Sequence, residues 1–79
     1  MDVELFALLA DTIGSQRISI QTTSPWTARE LLAHLARQYP QAAELIRLSR
    51  VAINHSYAAP DAIIASGSEV AIIPPVSGG

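Results

Sequence analysis

Cysteine and lysine are both missing from the 79 residues, and all five basic side chains are arginine. Without cysteine there is no disulfide, no thiolate metal site and no thiol nucleophile. Without lysine there is no Schiff-base chemistry, no phosphate-loop lysine and no isopeptide acceptor on that side chain. Charge is also scarce: charged residues make up 15% of the chain, and five basic against seven acidic side chains leave a formal charge of −2. Nothing in that balance attracts a phosphate backbone or an anionic lipid surface, so neither nucleic acid nor a membrane is an expected partner. No apolar run approaches the roughly 18 residues of a membrane span. The run from Val3 to Ala10 is interrupted by Glu4 and has no basic flank, so it does not read as a secretory signal, and a cytoplasmic location is expected.

What is present is apolar enough to fold. Hydrophobic residues are 49% of the chain, and the length suits one core, so residues 1–79 are expected to form a single domain. Residues 3–9 alternate as a strand, with Val3, Leu5, Ala7 and Leu9 inward and Glu4, Phe6 and Leu8 outward. Asp11-Thr12-Ile13-Gly14 then reads as one helical turn closed by glycine. Arg17-Ile18-Ser19-Ile20-Gln21 alternates strictly and is expected to pair antiparallel with the first strand, Ile18 and Ile20 facing the core.

Thr27-Ala28-Arg29-Glu30 is a capping box, with Trp26 and Leu31 placed as a hydrophobic staple. Ala28, Leu31, Leu32, Leu35 and Tyr39 recur at helical spacing, and Pro40 ends the helix. Residues 41–48 hold a shorter amphipathic piece. Val51-Ala52-Ile53 reads as a strand, Asn54-His55 as its turn and Tyr57-Ala58 as the return. Glu69 to Ile73 is the last strand, stopped by Pro74-Pro75. Hairpin, helix and further strands make an α+β roll with a mixed sheet, its core built around Leu5, Ile20, Leu35, Ile53 and Ile72.

Side-chain chemistry finds little support. His34 lies on the helix flank and His55 in a turn, and neither has a second histidine or a carboxylate at ligand spacing in sequence, so no metal site is expected. The serines lack a nucleophile elbow, which speaks against a small hydrolase. Glu4 and Asp11 read as solvated charges. What remains is the terminal carboxylate, ionised at neutral pH and carried on Gly78-Gly79. An extended Pro74-to-Gly79 segment would span on the order of 20 Å. Two residues without a Cβ would let a narrow channel close around its tip. For the dipeptide alone, a frayed end is the plainer reading.

In context, the ending gains meaning. Leu5-Phe6-Ala7, Ile13-Gly14, Thr27 with Leu31, Val51-Ala52-Ile53-Asn54, Gly67-x-Glu69-Val70-Ala71 and Pro74-Pro75-Val76-x-Gly78-Gly79 together resemble the ubiquitin-like sulfur carriers of the MoaD/ThiS family. Within that family the resemblance is greatest to the small-subunit type of molybdopterin synthase, because thiamine-type carriers usually lack the Pro-Pro pair. The chain departs from that pattern at Ala10-Asp11-Thr12, where an Arg-Glu pair is common, and at Ser66 and Ser68, where acidic residues are common.

The resemblance implies a β-grasp fold with 74–79 as an extended tail. It implies that a ubiquitin-activating-like adenylyltransferase joins the Gly79 carboxylate to AMP, that a sulfur donor protein converts it to a thiocarboxylate, and that Val76, Ser77 and Gly78 thread behind it, after Pro74 and Pro75. It further implies a large synthase subunit as partner, in a heterotetramer, where the sulfur passes to a pyranopterin precursor to build the molybdopterin dithiolene. The chain would then bind no cofactor permanently, ATP being used by the activating enzyme, and would act without side-chain catalysis of its own. Phe6, Leu8, Tyr57, Ile73 and Val76 are expected to form one partner-facing apolar patch, with Phe6 and Ile73 near its centre. The alternatives are a carrier for thiamine thiazole or another sulfur-containing metabolite, and a ubiquitin-like binding module that does no chemistry.

Overall fold

The computed structural model describes residues 1–75. Along them run strand β1 (Asp2–Leu5), helix α1 (Ala7–Ile13), strand β2 (Arg17–Ser19), helix α2 (Ala28–Gln38), a 3₁₀ turn (Pro40–Ala42), helix α3 (Ala43–Leu48), and strands β3 (Arg50–Ile53), β4 (Ser56–Tyr57) and β5 (Val70–Ile73). Among the described residues the strands form one sheet in the order β2-β1-β5-β3-β4. The β1–β5 pair is parallel and the other pairs are antiparallel. This is the α+β, ubiquitin-like arrangement expected from the sequence.

Register explains the core. On one face, Ile18, Val3, Val70 and Ile53 lie in a row across β2, β1, β5 and β3, and Leu5, Ile72 and Val51 form the next row. Because side chains alternate along each strand, all of these point to the same side. There they meet Ala28, Leu31, Leu35 and Ala36 of α2, Ile46 of α3, Leu9 of α1 and Ile64. Leu9, Leu31, Leu35, Ile46 and Ile72 are fully buried. Of the expected core, Leu5, Ile20, Leu35 and Ile72 are buried, whereas Ile53 is partly buried at the margin.

Helix α2 starts as its capping box demands: the Glu30 N–H donates to Thr27 Oγ1 at 3.2 Å and the Thr27 N–H to Glu30 Oε1 at 2.9 Å. The next two amide donors are satisfied from the 58–68 loop, Ala28 N–H by the Ala62 carbonyl at 2.9 Å and Arg29 N–H by the Pro60 carbonyl at 2.8 Å. A bridge between Thr27 and Ile63 and a 2.8 Å bond from Ile64 N–H to the Trp26 carbonyl fasten the same loop. No orphan donor remains at this helix start, and Ile64 is thereby held in the core.

The first strand corrects the sequence reading. It ends at Leu5, not Leu9, because Ala7 takes φ 52° and turns the chain into α1. Leu9 is still buried, but from a helix, whereas Ala7, expected inward, is exposed. Gly14 closes α1 in the left-handed conformation (φ 88°), its N–H donating to the Ala10 carbonyl at 2.8 Å. The ambiguity is physical: Leu5 and Leu9 share a side at both strand and helix spacing, so periodicity over so short a run does not decide.

The turn at Ala7 yields a test. Replacing this exposed alanine by valine, a β-former that an extended strand would welcome, should lower stability in urea denaturation by about 1–2 kcal/mol, since a β-branched residue tolerates the left-handed region poorly. Ala7→Gly should be tolerated.

Candidate functional site: the outer sheet face and the root of the C-terminal segment

The other face of the sheet carries the residues that alternate with the core. Arg17, Glu4, Ala71, Ala52 and Tyr57 line up across β2, β1, β5, β3 and β4. The two alanines make a low floor, and larger side chains rise around it. Phe6 and Ile73 stand on one side and Tyr57 on the other, enclosing a groove of about 370 Å³. Phe6 is 45% and Tyr57 58% exposed, while Ile73 is half-buried. Ala52 is buried without belonging to the core cluster, as its position in this floor requires.

Polar groups rim the groove. Arg17 Nη2 lies 3.3 Å from Glu4 Oε1, and His55 Nε2 lies 3.0 Å from Glu69 Oε2. Both pairs are exposed to water and contribute little to stability. The Arg50 guanidinium sits 4.3 Å from the centre of the Tyr57 ring, a cation–π contact that fixes the ring as a wall. The β3–β4 turn places His55: Asn54 and His55 both take positive φ, at 51° and 71°. Asn54 holds the turn against β5, its Oδ1 accepting from Glu69 N–H at 2.9 Å and its own N–H donating to the Glu69 carbonyl at 2.8 Å. The sequence offered His55 no carboxylate; the fold brings Glu69 to it from well down the chain.

Strand β5 points the chain past this groove. It is flanked by β1 and β3, runs parallel to β1, and its last residue, Ile73, is paired with Arg50. The segment after it therefore leaves at the end of the sheet where Leu5 passes into Phe6. Pro74 is buried and Pro75 exposed. Pro74, expected as the first residue of an extended tail, instead belongs to the body and anchors the segment at its root. Val76, Ser77, Gly78 and Gly79 lie outside the described residues.

The expected patch is brought together in part. Phe6, Tyr57 and Ile73 line one groove. Leu8 is exposed on α1 and is not among the residues that line it. Placing Leu8 with Phe6 assumed a strand running on to Leu9, and the turn at Ala7 separates them. Sequence reasoning missed Ala52 and Ala71 as the floor and Arg50 as the support of Tyr57. The usable signal was small residues at the outward positions of two neighbouring strands.

Among the described residues no group of three or more His, Asp or Glu could hold a metal ion. His34 is packed against Trp26 with ring centroids 4.8 Å apart. No helix among the described residues is long and apolar enough to cross a membrane.

The model of the ThiS family matches residues 3–79, a span that takes in both the groove and the Gly-Gly end. The chain belongs to the ThiS family. A molybdopterin synthase sulfur carrier subunit from Dictyostelium discoideum is 38% identical over 78 residues, covering 95% of this chain and 91% of that protein. One of the same description from Arabidopsis thaliana is 32% identical over 77 residues, covering 98% and 80%.

Among solved structures, SAMP1 from Haloferax volcanii superposes with a TM-score of 0.78 at 30% identity, covering 99% of this chain and 97% of that one. A chain from the complex of subunits 1 and 2 of the Helicobacter pylori molybdopterin-converting factor superposes with a TM-score of 0.66, covering 99% and 96%. At 19% identity this second likeness is one of fold. Through the described residues, this ThiS-family chain thus shares the β-grasp architecture of these structures.

The groove's rim can be tested at Asn54. Asn54→Ala removes a side-chain acceptor and places a less tolerant residue at positive φ, and should cost about 1–2 kcal/mol in chemical denaturation. Removing the charge of the exposed His55–Glu69 pair by Glu69→Gln, which leaves the backbone at positive φ untouched, should change stability by less than about 1 kcal/mol.

Proposed function

We propose that this chain is a sulfur carrier of molybdopterin synthesis whose reagent is the Gly79 carboxylate. The observation that carries the reading is the family match through residue 79, joined to 38% identity with a molybdopterin synthase sulfur carrier subunit over 91% of that protein's length. The composition agrees with it. A chain with no cysteine cannot hold sulfur on a thiol, and a carboxylate at the end of a narrow segment is the remaining attachment point.

A carboxylate is a poor electrophile, because its negative charge repels nucleophiles and oxide is not a leaving group. In the proposed sequence an adenylyltransferase binds ATP. A Gly79 oxygen attacks the α-phosphorus, pyrophosphate leaves, and an acyl-adenylate forms. Hydrosulfide (HS⁻) supplied by a donor protein then attacks the acyl carbon. AMP departs with the bridging oxygen, so one oxygen of the original carboxylate has been exchanged for sulfur. The thiocarboxylate passes its sulfur to a pyranopterin precursor in a large synthase subunit, and two rounds supply the dithiolene.

The chain's own part in this is mechanical. Anchored Pro74 fixes where the segment starts, Pro75 keeps the next step extended, and Gly78 and Gly79 leave the tip slim enough for an enclosed site. The groove formed by Phe6, Tyr57 and Ile73 lies beside that root, so one docking event through it would aim the segment into the partner. The same groove would serve the adenylyltransferase and the large subunit in turn. The existence of a two-subunit molybdopterin-converting factor, one chain of which shares this fold, supports the second of these.

The test is intact mass spectrometry of the chain after incubation with the activating enzyme, ATP and a sulfur source. Exchange of one oxygen for sulfur at the last residue is expected. Deleting Gly79 should abolish it without changing the thermal midpoint, and an unmodified wild-type mass in the presence of active enzyme would refute the proposal. Transfer from the loaded chain to a thiazole precursor, but not to a pyranopterin, would move it to the thiamine branch. Separately, Phe6→Ala and Tyr57→Ala should each weaken binding to the large subunit roughly ten-fold or more in calorimetric titration, as expected of aromatic anchors, while leaving stability nearly unchanged.

A further inference from the structure

The five arginines are unevenly used. Arg17 pairs with Glu4 and Arg50 lies over Tyr57, both on the outer sheet face. The other three, Arg29, Arg37 and Arg47, gather on the helix side of the molecule. All three are exposed and border one shallow trough floored by Ala33, Ala36 and Pro60. Among the described residues none of the three forms an ion pair. The carboxylates nearest in the chain are committed elsewhere or point no oxygen at them: Glu30 caps Thr27, and neither Glu44 nor Asp61 is in an ion pair.

A protein of net charge −2 therefore concentrates three unneutralised guanidinium groups on one face. Arg29 and Arg37 are eight positions apart on α2, about 12 Å along the helix axis, with the small Ala33 between them. Arg47 approaches from α3. An extended peptide of roughly four residues spans the same distance. Guanidinium is a fork-shaped donor suited to carboxylates, and the apolar floor favours an aliphatic side chain between two acidic ones.

We infer that this helix face is a second docking surface, for a carboxylate-bearing segment of a partner protein. It goes beyond the sulfur-carrier reading and does not rest on it. Helix α2 packs on the core side of the sheet, whereas Phe6 and Tyr57 stand on the outer side. The two surfaces point in opposite directions, so the helix face stays open when the groove is covered.

The experiment is an NMR titration of the isotopically labelled full chain with a synthetic peptide bearing glutamates on both sides of a central leucine, at about 20 mM and about 200 mM salt. Amide shifts are expected at Arg29, Ala33, Arg37 and Arg47, with marked weakening at the higher salt. The triple substitution Arg29→Gln, Arg37→Gln, Arg47→Gln should weaken binding about ten-fold or more, and lysine at the same positions should restore part of the loss. The Gly79 deletion, which ends tail chemistry, should bind the peptide as the full chain does.

Absence of binding, shifts centred on Phe6 and Tyr57, or equal binding by the glutamine variant would overturn the inference. So would equal binding of a peptide with glutamines in place of glutamates. Displacement of the peptide by inorganic phosphate at equal concentration would also overturn it, in favour of a phosphoryl site.

Discussion

The position of β5 governs the rest of the molecule. A strand that pairs on both edges, parallel to β1 and antiparallel to β3, cannot slide without flipping Val70 and Ile72 out of the core. With Ile72 fully buried, its register is fixed by the hydrophobic effect as well as by the ladders it shares with both neighbours. Pro74, the next residue, inherits that placement. The exit point of the C-terminal segment, the burial of Pro74, and the nearness of Phe6 and Arg50 to the segment's root all follow from one central strand held in one register.

The same alternation divides the protein into two working faces. Val3, Leu5, Val70 and Ile72 bury their apolar surface against α2, which leaves Glu4, Ala71 and Ala52 to face outward by necessity. Large side chains at Ala52 and Ala71 would fill the floor, so the groove exists because these two positions are small. The walls come from outside the ladder's centre: Phe6 from the turn after β1, and Tyr57 from the short edge strand, braced by Arg50. A depression bounded by aromatics on a β-grasp sheet is thus made without any insertion, from the outward half of strands already required for the core.

Legibility in the sequence followed the strength of local signals. Thr27 to Glu30 announced a capping box, and the structure has both of its hydrogen bonds. Arg17 to Gln21 alternated cleanly, Val51 to Ile53 and Glu69 to Ile73 read as short apolar runs bounded by turn residues, and all three are strands or border them. Asn54-His55 read as a turn because such residues tolerate positive φ. Three features were not legible, one for a local reason and two for reasons of distance. The helix at Ala7–Ile13 depends on a single backbone reversal that composition does not encode. Ile64 is a core residue only because the 58–68 loop is tied to the start of α2 by backbone bonds. The His55–Glu69 pair is made by strand pairing, and so is invisible to sequence spacing. For the site, Phe6, Tyr57 and Ile73 could be picked as outward apolar residues, but Leu8 was placed with them on the same faulty strand, and the alanine floor went unnoticed.

Charge placement separates the two faces further. On the outer face Arg17 is paired with Glu4, and Arg50 keeps its charge but lies over the Tyr57 ring, so docking there strips less water from these cations than from fully solvated ones. The helix face does the reverse and leaves three guanidinium groups in solvent, where each keeps its hydration until a carboxylate replaces it. One face is therefore suited to close apolar contact and the other to longer-range, salt-sensitive attraction. That division needs no conformational change: it is written into which side of α2 and which side of the sheet each arginine occupies.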